Sequence, residues 1–148
     1  MSFSNDAVEV RAHGWRRMAA LHALIETALE KELQAAHHLS VVEYTVLDAL
    51  SRQDGELHMR MQQLSRAAAL SSSATTRLVA RLEERGLLAR FLCVDDRRGI
   101  YTELAAAGQE LLAQARPTHD RVLKESLDKA QEIPELASLA AFLQEQPA

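Results

Sequence analysis

Between Ser71 and Gly86 the chain carries a helix with both ends marked. Ser71, Ser72 and Ser73 supply hydroxyls that can accept from the unpaired N–H groups of a helix start, and Gly86, after Glu83, Glu84 and Arg85, can take the left-handed backbone that stops one. Ala74, Leu78 and Leu82 recur at helical spacing with Thr75 and Val79 beside them, so one stripe is apolar and must be covered. The other face, Ser72, Ser73, Thr76, Arg77, Ala80, Arg81 and Glu84, holds short hydroxyls, one methyl and two guanidinium groups, with a negative charge only at its C-terminal end. Short hydroxyls let a backbone approach phosphates, and arginine reads guanine bidentately or clamps a phosphate. Alone, this face is no more than the solvated side of an amphipathic helix; its neighbours in sequence favour a DNA groove.

Upstream, Met61 to Ala69 reads as a short helix with Leu64 and either Ala67 or Ala68 inward, and Ala69-Leu70-Ser71 as a tight turn, which together make a helix-turn-helix. Downstream, Leu87 to Val94 is β-prone, Asp95-Asp96-Arg97-Arg98-Gly99 is a charged turn, and Ile100 to Leu104 returns as a second strand. A hairpin tipped by two arginines directly after such a helix is a wing.

With Leu70-Ser71-x-Ser73, Thr76-Arg77-Leu78-Val79-x-Arg81-Leu82-Glu83-x-Arg85-Gly86-Leu87, Asp96-Arg97-Arg98, a β-run ending at Leu104, and Gly108, the chain resembles the multiple antibiotic resistance regulator (MarR) family of winged helix-turn-helix transcription factors. The resemblance covers roughly residues 40 to 110. It implies a mainly α fold with a small β-hairpin wing: a single domain over 1–148, with a DNA-binding lobe at 40–105 and helical dimerisation regions at 7–36 and 106–146. Where the family has Leu-Thr before the next helix, this chain has Leu104-Ala105, which lacks a capping hydroxyl. The resemblance also implies a dimeric repressor, released by a small aromatic or amphipathic ligand, in which Asp96 holds Arg98 in place.

The charge distribution agrees. The chain's formal charge is −4, yet from Arg60 to Arg98 eight arginines face four acids, a local balance of +4 that leaves −8 on the remainder. Positive charge confined to the motif attracts phosphate there and discourages binding elsewhere. Few aromatics and an apolar share of 47% describe an α-rich soluble domain with a sizeable core. No run suits a membrane span and the first residues do not read as a secretory signal, so a cytoplasmic location is expected. The lone Cys93 reads as strand packing rather than a redox switch.

Along the rest of the chain, residues 1 to 6 read as loosely attached, and Ala7 to about Ala36 as one long helix ended by His37 and His38. A helix of that length calls for an intermolecular partner. Ser40 and Glu43 form a capping box for a helix with Val42, Val46, Leu47 and Leu50 inward, closing near Gln53. Glu56-Leu57-His58 reads as a short strand pairing with the wing. Ala105 to about Asp128 is helical with a kink at Pro117 or a restart at Thr118, and Pro134 opens a last helix from Glu135 to about Gln144.

The DNA-contacting candidates are Ser72, Ser73, Thr76, Arg77 and Arg81 in the major groove, Arg98 in or beside the minor groove, and Arg97 on a phosphate. In a dimer the two reading helices would stand roughly 34 to 36 Å apart, matching a pseudo-palindromic operator. Trp15, His22 and Tyr44, with Arg16 or Arg17, are candidates for an effector cleft; equally, Trp15 and Tyr44 read as core or dimer-interface residues. The six histidines lack the spacing of a metal site. No cofactor motif, phosphate loop or nucleophile elbow is present, so an enzyme is not expected. The alternative is a winged-helix protein-interaction module that does not read DNA.

Overall fold

The computed structural model describes residues 3–53, 58–92 and 99–145. Nine elements follow in order: α1 (Phe3–His37), α2 (Val41–Ser51), β1 (His58–Arg60), α3 (Met61–Ala68), α4 (Ser72–Glu84), β2 (Leu88–Leu92), β3 (Ile100–Leu104), α5 (Ala106–Gln131) and α6 (Ala137–Glu145). They divide into two compact units, one from residues 33–117 and one from 1–32 with 118–148.

In the first unit an antiparallel sheet in the order β1-β3-β2 packs beside α2, α3 and α4. Met59 pairs with Thr102 and Leu88 with Leu104 on its buried face, while Arg60 and Phe91 both pair with Tyr101 on the other. Leu47, Leu50, Leu64, Leu78, Val79 and Leu82 form the centre of the core. The Ser40–Glu43 capping box closes as expected, with Ser40 N–H donating to Glu43 Oε1 at 2.9 Å and Glu43 N–H to Ser40 Oγ at 3.1 Å. In the second unit Leu21 packs on Leu127, Ala130, Leu136 and Ala140.

Several boundaries differ from expectation. α1 starts at Phe3, so residues 3–6 are helical rather than loose; Asp6 in its first turn favours the positive helix end, and nothing before Gly14 interrupts the run. It ends at His38, whose φ of 54° is left-handed. β1 is His58–Arg60 rather than Glu56–His58; residues 54–57 lie outside the described residues. α5 does not restart at Thr118 but continues through Pro117 to Gln131, an interior proline removing only one N–H from the ladder. α6 begins at Ala137 rather than Glu135, because residues 134–136 form a turn closed by Leu136 N–H on the Ile133 carbonyl at 2.9 Å.

Candidate nucleic-acid interface

α4 is held at both ends by the groups its sequence supplies. Ser71 Oγ accepts the Ala74 N–H at 3.2 Å. At the other end Gly86, at φ +73°, lets its N–H reach the Glu83 carbonyl at 2.9 Å while Leu87 N–H reaches Leu82 at 3.0 Å, satisfying two carbonyls that a helix end leaves open. The turn before α4 is also left-handed, at Ala69, and there Leu70 N–H donates to the Ser65 carbonyl at 2.9 Å.

Rotation of α4 about its axis is set by what it buries. Thr75, Leu78, Val79 and Leu82 are buried and Ala74 is half-buried. Thr75 is fully enclosed; its hydroxyl donates to the Ser71 carbonyl at 2.8 Å and lies 2.9 Å from the Ser65 hydroxyl of α3. That contact fixes the two helices of the motif to each other. Ser72, Ser73, Thr76, Arg77 and Arg81 consequently all face solvent, with Ala80 half-buried among them. The Thr76 hydroxyl donates to the Ser72 carbonyl at 2.9 Å, which leaves its oxygen as an acceptor on the surface.

Two of the lobe's arginines are already engaged. Arg85 Nη1 donates to Glu43 Oε2 at 2.9 Å, tying the end of α4 to the start of α2. Arg90 Nη2 meets Glu83 Oε1 at 2.9 Å and the Arg90 backbone N–H meets Oε2 at 3.0 Å. Those hydrogen bonds hold the Glu83 carboxyl below its usual range and the Arg90 guanidinium above its own. Among the described residues, Arg66, Arg77 and Arg81 make no hydrogen bond or ion pair.

Two open grooves flank the helix. One, of about 470 Å³, borders the start of α4 and is lined by Arg66, Leu70, Ser71 and Ser72. The other, of about 360 Å³, lies between α4 and the wing and is lined by Arg60, Met61, Gln62, Thr76, Arg90 and Ile100. Arg66 was not among the sequence candidates. Its proximity to the serines follows from the left-handed turn at Ala69, which an alanine does not advertise. Asp96, Arg97, Arg98 and Cys93 lie outside the described residues. Of the effector candidates, Trp15 is 66% exposed and His22 is exposed on α1, whereas Tyr44 is buried within the lobe. Among the described residues no three His, Cys, Asp or Glu side chains come together as a metal site, and no helix is long and apolar enough to cross a membrane.

A model described as the MarR family matches residues 37–99, which span the helix-turn-helix and the first wing strand. Two regulators of that family from Streptomyces coelicolor share the fold. Sco3205, solved in complex with DNA, is 25% identical with a TM-score of 0.72, covering 100% of this chain and 91% of its own. AbsC is 26% identical with a TM-score of 0.71, covering 99% and 98%. This chain belongs to the MarR family. The transcriptional regulator BldR from Sulfolobus solfataricus, at 22% identity and a TM-score of 0.73 over 99% of this chain and 100% of its own, shows the same architecture. No curated protein matches the chain. The MarR fold accounts for Gly108 in physical terms: a Cβ there would strike the Leu87 carbonyl, so α5 approaches the end of the reading helix as closely as backbone allows.

Proposed function

We propose that this MarR-family chain is a sequence-specific, double-stranded-DNA-binding repressor acting as a homodimer on a pseudo-palindromic operator. Helix 72–84 enters the major groove, and the wing turn 95–99 reaches the minor groove through Arg98, with Asp96 holding it and Arg97 on a phosphate. The observation that carries this reading is the outward set Ser72, Ser73, Thr76, Arg77 and Arg81, presented while the rest of α4 is buried and the adjacent Arg85 and Arg90 are neutralised by acids. Guanidinium groups without an acid partner among the described residues are available to phosphates and base edges.

Dimerisation is supported by apolar surface in the unit of residues 1–32 and 118–148. Val8, Val10, Trp15 and Met18 on α1 are each at least half exposed, and Phe142 and Leu143 on α6 are 57% and 48% exposed. A second copy of the helical regions 7–36 and 106–146 covers that surface. Trp15 then serves the interface, and an aromatic or amphipathic effector would meet the exposed His22 before the buried Tyr44.

The test is titration of labelled promoter-region duplex at several salt concentrations, with and without aromatic acids, alongside sedimentation of the free protein. A dimer with a steep salt slope and a preference for one sequence is expected. A monomer, or binding indifferent to salt and sequence, would instead point to a protein-interaction module.

A further inference from the structure

The groove between α4 and the wing has two unlike walls. Arg60, Gln62 and Thr76 make one side polar, while Met61 and Ile100 make the other apolar. Ile100 is 49% exposed and pairs in register with Leu92, which is 67% exposed, so the apolar wall continues along the wing. Arg90 borders the same space, but Glu83 holds both its side chain and its backbone N–H.

Arg60 is placed otherwise. Its Nε donates to the Tyr101 hydroxyl at 3.0 Å, and its guanidinium carbon stands 5.5 Å from the centre of the Tyr101 ring. Tyr101 is itself fixed: Phe91 stacks on it at 5.8 Å and His58 meets it edge-on at 5.3 Å. Three strands thus contribute one ring each to a platform under a single guanidinium. The Arg60 backbone N–H is also taken, by Gln63 Oε1 at 3.1 Å, at the start of α3. The Tyr101 bond occupies one of five guanidinium donors, and the platform limits how far the terminal fork can swing.

If α4 occupies the major groove and the wing the adjacent minor groove, one strand of the duplex crosses between them. We infer that this groove seats that strand's sugar-phosphate backbone, with Arg60 contacting a phosphate, Leu92 and Ile100 covering deoxyribose, and Tyr101 acting as the positioning residue for Arg60. The inference rests on the DNA-binding reading above. It adds a phosphate contact from outside both the reading helix and the wing tip. A phosphate carries no sequence information, so the effect of Arg60 falls on affinity and register.

The test is operator binding by fluorescence anisotropy across a salt series for the full-length wild type, Arg60→Gln, Arg60→Lys and Tyr101→Phe, with thermal melting of each as a fold control. Loss of one phosphate contact lowers the magnitude of the log K against log salt slope by about 0.9. Arg60→Gln shows that drop together with roughly tenfold weaker binding at moderate salt, equally on operator and on unrelated duplex. Arg60→Lys keeps the wild-type slope, and Tyr101→Phe keeps its melting temperature while weakening binding several-fold. An unchanged slope in Arg60→Gln, with wild type still salt-dependent, overturns the inference and leaves the DNA-binding reading intact. A slope lost equally in Arg60→Lys overturns it too, since charge would then not be what the site supplies. Wild type that fails to bind duplex overturns both.

Discussion

Substitution of Gly108 by alanine separates helix propensity from packing, because the two act in opposite directions. Gly108 is in α5, where alanine is favoured by about 1 kcal/mol. The structure nonetheless excludes a methyl group. A Cβ built there lies well inside contact distance of the Leu87 carbonyl oxygen, 3.0 Å from its carbonyl carbon and 2.8 Å from Leu104 Cδ1. The Leu87 oxygen is backbone and accepts the Ala105 N–H at 3.0 Å, so it cannot yield without losing that bond. Leu87 and Leu104 are 6% and 3% exposed, so their side chains have little room to move. Overpacking in such a site costs about 1 to 3 kcal/mol. The displaced hydrogen bond costs about 1 kcal/mol more. After the propensity gain, Gly108→Ala should be less stable by about 2 kcal/mol, which for a chain of this size lowers the melting temperature by about 4 to 8 °C.

Urea unfolding at fixed protein concentration is the assay, since an associating protein's midpoint depends on concentration. Gly86→Ala provides the contrast. Nothing lies within 4 Å of a Cβ there, but φ is +73°, so only backbone strain acts and a loss of about 1 kcal/mol is expected. If Gly108→Ala unfolds at or above the wild-type midpoint, the close approach of α5 to Leu87 is not what requires glycine at this position.

Three further outcomes follow from other parts of the lobe. Ala69→Gly should raise stability by about 0.5 to 1 kcal/mol in the same urea assay, because Ala69 is exposed and sits at φ 55°, where its Cβ is a penalty. Arg77→Ala and Arg81→Ala should each weaken operator binding by about 1 to 3 kcal/mol in anisotropy titrations while leaving the melting temperature unchanged, their side chains being exposed. Burial alone would raise the Asp48 carboxyl, but hydrogen bonds from Arg52 and Arg116 and their charges outweigh it and hold the carboxyl below its ordinary 3.8. Its contribution is therefore complete above that value and lost as pH falls through the lowered one, and acid titration by circular dichroism should find Asp48→Asn less sensitive over that interval than wild type.

What was legible in the sequence was what local chemistry determines. The stripe of α4, its serine start and its glycine stop all act within a turn or two, as does the Ser40–Glu43 box, and each appears where the residues place it. β3 coincides with the expected Ile100–Leu104 because both ends are bounded by turns. β1 shifted because a three-residue edge strand has its register set by Thr102 and Tyr101, more than forty positions away. α5 passed through Pro117 because a long helix with many other hydrogen bonds tolerates one missing donor. The outward face of α4 was readable from its period; the platform of His58, Phe91 and Tyr101 was not, since its rings come from three strands whose pairing no spacing reveals.

The same distinction governs the lobe's electrostatics. A tally along the chain credits the stretch from Arg60 to Arg98 with eight arginines, all apparently available for phosphates. Folding removes two of them, since Glu43 reaches Arg85 and Glu83 holds Arg90. The acids at these two positions therefore act as anchors: one joins the end of α4 to α2, the other joins α4 to the wing strand. Each arginine so engaged contributes a fixed helix orientation instead of a released counterion. With about 0.9 of salt slope per neutralised phosphate, counting both would overstate the slope by about 1.8 per lobe and about 3.6 for a dimer. That difference lies well within what a salt titration resolves, and it distinguishes arginines that hold the reading helix in place from those that touch DNA.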